Sequence, residues 1–110
     1  MVEKRMQEIE ARIRNAPHLS DTERQKLLSS LATLRSEIDA LSQSHSEDAH
    51  SITHFLDAST HEASRATREP KLVEAASSGL TASVEKFETT HPKLFQAASQ
   101  VALILGNMGL

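Results

Sequence analysis

The sequence predicts an all-α fold, and two observations carry this prediction. Apolar residues recur at steps of three and four through most of the chain, which places them on one face of a helix. The 110 residues include no Trp or Tyr and only three each of Phe, Gly and Pro. That composition lacks the aromatic and turn residues that a many-stranded sheet needs. We therefore predict one domain, a bundle of four or five helices around a long amphipathic helix.

The long amphipathic helix is predicted at residues 20–43. Its apolar stripe consists of Leu27, Leu31, Leu34, Ile38 and Leu41. Ser20 and Glu23 precede the stripe with the Ser-x-x-Glu spacing of a capping box, which satisfies two backbone N–H groups at a helix start. A shorter helix is predicted at residues 2–15, and Pro17 separates it from the long one. The polar residues of the long helix's first turns are expected to be solvated: Asp21, Arg24 and Lys26.

The segment after Leu41 is serine-rich and leaves two alternatives. A helix that continued to Arg65 would be about 70 Å long at roughly 1.5 Å per residue, and such a helix would require a dimer. A break near Ser44 allows the chain to fold back on itself, and Ser44 with Glu47 offers a second capping box there. We favour the break.

Three further helices are predicted at residues 46–67, 70–89 and 92–107, and Pro70 and Pro92 mark the last two boundaries.

The last helix carries no charged side chain after Lys93. Such a helix either lies centrally in its own bundle or is covered by a second copy of the chain. Membrane contact is disfavoured because basic flanks and interfacial Trp or Tyr are missing. Together with the leucine stripe, three of its residues are predicted to form the core or a dimer interface: Leu94, Val101 and Leu105.

Charge and composition exclude several classes of function. A formal net charge of −3 disfavours binding to nucleic acid, and the absence of Cys excludes disulfides and thiol chemistry. No stretch approaches the roughly 20 apolar residues of a spanning helix, and the N-terminal residues do not form a secretory signal. We predict a cytoplasmic protein without cofactor or catalytic activity. Its predicted partner is a second copy or an unidentified protein.

A histidine-rich face suggests an alternative function. Residues 36–64 contain no Lys or Arg, and four metal-ligating residues step by four, three and four along one predicted helical face: His50, His54, Asp57 and His61. Imidazoles at i and i+4 can share Zn²⁺, Ni²⁺ or Cu²⁺, and several histidines would gain charge together as the pH falls toward 5. An ordinary solvated face, opposite Ile52 and Leu56, competes with this metal- or pH-sensing interpretation.

Several short motifs resemble one known family. They are Phe87, His91-Pro92, Leu94 and the terminal Asn-Met-Gly-Leu, then Pro17-His18-Leu19 with Leu27, Leu28 and Leu31, and His61-Glu62-Ala63-Ser64-Arg65. On these residues the chain resembles a family of small bacterial helical proteins known as domain of unknown function 4404. The resemblance implies an all-helical fold and supplies no activity or catalytic residue. We interpret His91 as a structural residue at a helix start.

Overall fold

Five α-helices form the bundle in the computed structural model, which describes residues 2–17 and 19–108. They are α1 (Val2–Arg14), α2 (Asp21–Leu41), α3 (Ser46–Ala63), α4 (Pro70–Val84) and α5 (Pro92–Met108), and a 3₁₀ turn follows α4 at Glu85–Phe87. Neighbours follow the cyclic order α1–α3–α4–α5–α2, and α3 also contacts α2 and α5. The all-α prediction is confirmed. His18 and the terminal Gly109-Leu110 of the family motifs lie outside the described residues.

The start and the buried face of α2 agree with the sequence pattern. The Glu23 backbone N–H donates to Ser20 Oγ at 3.2 Å, and the Ser20 backbone N–H donates to Glu23 Oε1 at 3.2 Å, which completes the capping box. Each stripe residue of α2 is at most 2% exposed within the single chain, against α1, α3 and α5. Burial of such side chains is the main force that holds a small bundle together.

The chain breaks between α2 and α3, as we favoured, but without the second capping box. The backbone N–H groups of Ser42 and His45 close the last turn on the Ile38 and Leu41 carbonyls at 2.9 and 2.8 Å. Ser44 Oγ forms a hydrogen bond with His45 Nδ1 at 2.8 Å, and this hydroxyl does not cap α3. Because of this break, α2 and α3 fit within a molecule that is 38 Å long.

Two helices, α3 and α4, end four and five residues earlier than predicted. α3 ends at Ala63 and not at residue 67, because Ser64 leaves the helical region and its hydroxyl donates to the Thr60 carbonyl at 2.7 Å. α4 ends at Val84, after which the chain tightens into the 3₁₀ turn and the Glu88 N–H donates to the Glu85 carbonyl at 3.2 Å. Single 3₁₀ turns are common at the ends of helices.

The core is aliphatic, and α5 contributes to it from its own chain. Leu94, Val101 and Leu105 are fully buried. Hydroxyl groups on α3 also enter the interior, where Thr53 and Thr60 donate to the carbonyls four residues earlier, at 2.8 and 3.0 Å. Because these hydroxyls are satisfied locally, α3 can be buried against all four other helices despite its polar sequence.

α3 and α4 are in close contact at Gly79. A Cβ atom at this position would lie 2.5 Å from two ring carbons of Phe55. We expect Gly79→Ala to lower the free energy of unfolding by about 1 kcal/mol, since overpacking outweighs the gain in helix propensity. In a Phe55→Ala background the same substitution should raise stability by about 1 kcal/mol. Urea unfolding of the four proteins measures this reversal; equal effects in both backgrounds would contradict the contact.

A groove between the fourth and fifth helices as candidate functional site

A groove of about 510 Å³ runs between α4 and α5 on the molecular surface. Apart from Leu103, its walls are small or polar side chains of the two helices and of the 3₁₀ turn. The residues are Pro70, Glu74, Ser77, Ser78, Thr81, Glu85, Ser99, Ala102, Leu103 and Gly106. Because most of these side chains are small, they leave space between α4 and α5 that a side chain of another helix could enter.

Two hydroxyl groups at this groove have no hydrogen-bond partner among the described residues. They are Ser77 Oγ and Ser99 Oγ, and both atoms are buried. A buried polar atom without a partner costs roughly 1–3 kcal/mol. The groove therefore offers hydrogen-bonding capacity that the chain itself does not use.

Leu103 stands at the groove with 61% of its surface exposed. It is one of two large apolar side chains described as exposed; the other, Leu72 at 42%, does not line the groove. One helical turn away, a Cβ atom at Gly106 would meet no other atom within 4 Å. The groove thus combines one protruding apolar side chain with open space beside it.

The groove belongs to a broad face that carries little charge. The exposed positions of α5 after Lys93 are Gln96, Gln100, Leu103 and Asn107. Next to them, two shallower hollows between α5 and α2 are lined mostly by uncharged polar residues of both helices, and each includes one lysine, Lys93 or Lys26. Glu74 and Glu85 are the charged residues of the groove lining, and both are exposed. The exposed surface of α5 after Lys93 can be desolvated without burying a charge of its own.

The histidine face predicted from the sequence is found on α3, although Asp57 is already engaged. His50, His54 and His61 are exposed. Arg12 of α1 donates to Asp57 Oδ1 at 2.9 Å and to Thr60 Oγ1 at 3.0 Å. Among the described residues, no group of three or more His, Asp or Glu side chains is placed to hold a metal ion. The four-residue metal set stays a prediction, and Arg12 would compete for its carboxylate.

The motif at residues 61–65 forms a local ion-pair network. Arg65 donates to Glu62 Oε1 at 2.8 Å and to Glu69 Oε2 at 3.2 Å. The hydrogen bond that Arg65 donates to Glu62 raises the pKa of the Arg65 guanidinium above its ordinary value, with further support from the charges of Glu62 and Glu69. Within the connection between α3 and α4, Arg65 thereby links Glu62, near the end of α3, to Glu69, the residue before α4.

His91 has the structural role that the sequence predicted for it at the start of α5. Its backbone N–H donates to the Phe87 carbonyl at 2.8 Å, and its own carbonyl accepts from the Phe95 N–H at 3.1 Å. Pro92 follows as the first helical residue, a position where its missing N–H costs nothing.

Fold and surface together define a small helical-bundle protein whose candidate site is an open groove between helices. Within the described part of the chain, no helix combines the length and apolarity needed to cross a membrane. The model of one protein family, described as Domain of unknown function (DUF4404), matches residues 27–110, and the chain belongs to this family. No curated protein matches the chain, and neither does any solved structure. The matched residues include the whole α4–α5 groove.

Proposed function

We propose that this protein is a helical interaction module that binds a second copy of itself through the α4–α5 groove. The observation that supports the proposal best is Leu103, which is 61% exposed beside a groove of small residues. In a two-fold arrangement, Leu103 of each copy would enter the groove of the other, which makes the contact self-complementary. A cytoplasmic location and the absence of catalysis stay predictions.

The chemistry of α5 supports such a contact. Full burial of a leucine side chain contributes about 1.5–3 kcal/mol, and each copy would gain the share of this that belongs to the 61% of Leu103 that is exposed. Depletion of charge is the compositional mark of interface centres, and α5 exposes no charged side chain after Lys93.

The test is the solution mass of the purified chain by light scattering behind a sizing column, over a range of concentrations. We expect the parent protein to approach twice its 12.1 kDa chain mass as concentration rises. Leu103→Glu adds a carboxylate to a groove that already has Glu74 and Glu85 at its rim. This variant should dissociate at concentrations at least tenfold higher than the parent, a change of about 1.4 kcal/mol.

Two further variants separate the groove from a general effect on the surface. Leu72→Glu places the same charge at the other exposed leucine, outside the groove, and should leave the dimer unchanged. Gly106→Gln should weaken the dimer without loss of fold, because its side chain extends into space that the chain leaves open. A parent protein that keeps the mass of one chain at every concentration contradicts the proposal, as does equal weakening by Leu103→Glu and Leu72→Glu.

A further inference from the structure

Three rings meet at one end of the bundle, and none of them lines the α4–α5 groove. The ring centroids of His45 and Phe87 are 5.6 Å apart, those of Phe87 and His91 are 5.1 Å apart, and those of the two histidines are 6.0 Å apart. Each pair is edge-to-face. The Phe87 ring is buried, while His45 is exposed and His91 is half-buried. The two imidazoles thus lie next to each other against the buried Phe87 ring, and both remain accessible to water.

The backbone holds both histidines in place, although they lie nearly half the chain apart. His45 ends the α2–α3 connection: its N–H donates to the Leu41 carbonyl at 2.8 Å, and its carbonyl accepts from the Ala49 N–H at 2.9 Å. His91 is anchored in the same way at the start of α5, between Phe87 and Phe95. The fold therefore brings the two imidazoles together before any ligand arrives, which lowers the entropic cost of binding.

Each imidazole has a hydroxyl partner at one ring nitrogen, Nδ1. His45 Nδ1 contacts the hydroxyl of Ser44 at 2.8 Å, and His91 Nδ1 contacts the hydroxyl of Thr90 at 2.9 Å. When Nδ1–H donates to the hydroxyl, Nε2 carries the lone pair that binds a metal. Hydrogen bonds of this type on the second ring nitrogen orient metal-binding histidines in many proteins.

The distance between the rings fits one metal ion held by both. With Nε2–metal bonds of about 2.0–2.1 Å, two imidazoles on a shared ion have centroids roughly 4.5–6.4 Å apart, depending on the angle between the two bonds. The observed separation of 6.0 Å lies in the upper part of this range. The nearby cation Lys86, 5.8 Å from the Phe87 centroid, is paired with Asp48 at 2.8 Å, which reduces its repulsion of a metal.

We propose that His45 and His91 bind one divalent transition-metal ion, Zn²⁺, Ni²⁺ or Cu²⁺, through Nε2, with water molecules at the remaining coordination positions. Imidazole suits these three ions. The site has two protein ligands and differs from the α3 face predicted from the sequence, since it shares no residue with His50, His54, Asp57 and His61. It is also independent of the proposed self-association. Because the ligands come from distant parts of the chain, the ion binds the folded state and stabilises it.

Thermal unfolding of the tag-free chain, with ZnCl₂ or with EDTA, tests the proposal. We expect zinc to raise the melting temperature of the parent by at least about 4 °C. His45→Gln and His91→Gln should each abolish the rise, because one imidazole is then left, while His54→Gln should retain it. No rise in the parent overturns the proposal. A rise that His54→Gln abolishes and His45→Gln retains assigns the metal to the α3 face and overturns it too.

A second measurement covers the case in which a variant does not fold. In the parent protein, zinc should shift the imidazole NMR signals of His45 and His91 with a stoichiometry of one ion per chain, and leave those of His50 unchanged. Unshifted signals of His45 and His91 at saturating zinc would overturn the proposal. The solution mass in zinc should equal that in EDTA, because both ligands belong to one chain; a zinc-dependent increase in mass would show that the ion bridges two chains.

Discussion

Leu31→Ala is expected to lower the free energy of unfolding by about 3 kcal/mol, in the range typical for large-to-small changes in a well-packed core. Leu31 lies in the hydrophobic core of its own chain and has no solvent-accessible surface. The substitution removes apolar contacts and leaves a cavity, because neighbouring stripe residues such as Leu27 and Leu34 are held in the same helix. Urea unfolding should show a lower midpoint with an unchanged slope.

Leu72→Ala is the matched control for Leu31→Ala. It removes the same atoms from a side chain that is already 42% exposed, on the first turns of α4. We expect a loss of no more than about 1 kcal/mol. If the two substitutions cost the same free energy, the leucine stripe is not the packed centre that its burial indicates.

The sequence predicted the fold best where one physical cause decides the structure. The stripe of α2 is buried because its period matches the helix, and Ser20 begins the helix because its hydroxyl meets an unpaired backbone N–H. The sequence predicted the cap of α3 less well, because two causes compete there. Ser44 could cap α3 or bind the neighbouring imidazole, and it does the second.

The candidate site was beyond sequence analysis for a different reason. Leu103 and Leu105 lie on the same uncharged helix, yet one is 61% exposed and the other is fully buried. Helical spacing placed Leu105 with Leu94 and Val101 on the buried face, but the groove beside Leu103 depends on how α4 packs against α5. The pairing of His45 with His91 likewise depends on how two distant connections meet, which no local spacing encodes.

Arg24 shows how a side chain that the sequence predicts to be solvated can hold two elements together. Its guanidinium is half-buried and donates to the carbonyls of Ile13 at 2.7 Å, Arg14 at 2.9 Å and Leu19 at 3.1 Å. These carbonyls lie at the end of α1 and in the connection to α2, where helix geometry leaves carbonyl groups with few backbone partners. The Ile13 carbonyl also accepts from the Ala16 backbone N–H at 3.2 Å. Arg24 thus closes the end of α1 from the first turns of α2.

We expect Arg24→Ala to lower the free energy of unfolding by about 2 kcal/mol, since three charge-assisted hydrogen bonds are lost from a partly exposed site. Arg24→Lys should recover only part of this, because an ammonium group cannot span the three carbonyls as the planar guanidinium does. Lys26→Ala, which removes an exposed cation two residues away, should change stability by less than about 0.5 kcal/mol.

Hydrogen exchange locates the effect of Arg24→Ala. The last turn of α1 should lose protection, because the guanidinium no longer fixes the backbone at Ile13 and Arg14, while α4 and α5 should change only as far as global stability falls. If α1 kept its protection and Arg24→Ala matched Lys26→Ala, the guanidinium would be a solvated cation, as its sequence position alone suggests. A loss confined to α1 would instead show that this helix, which lies outside the matched family region, is attached to the bundle in part by a single arginine.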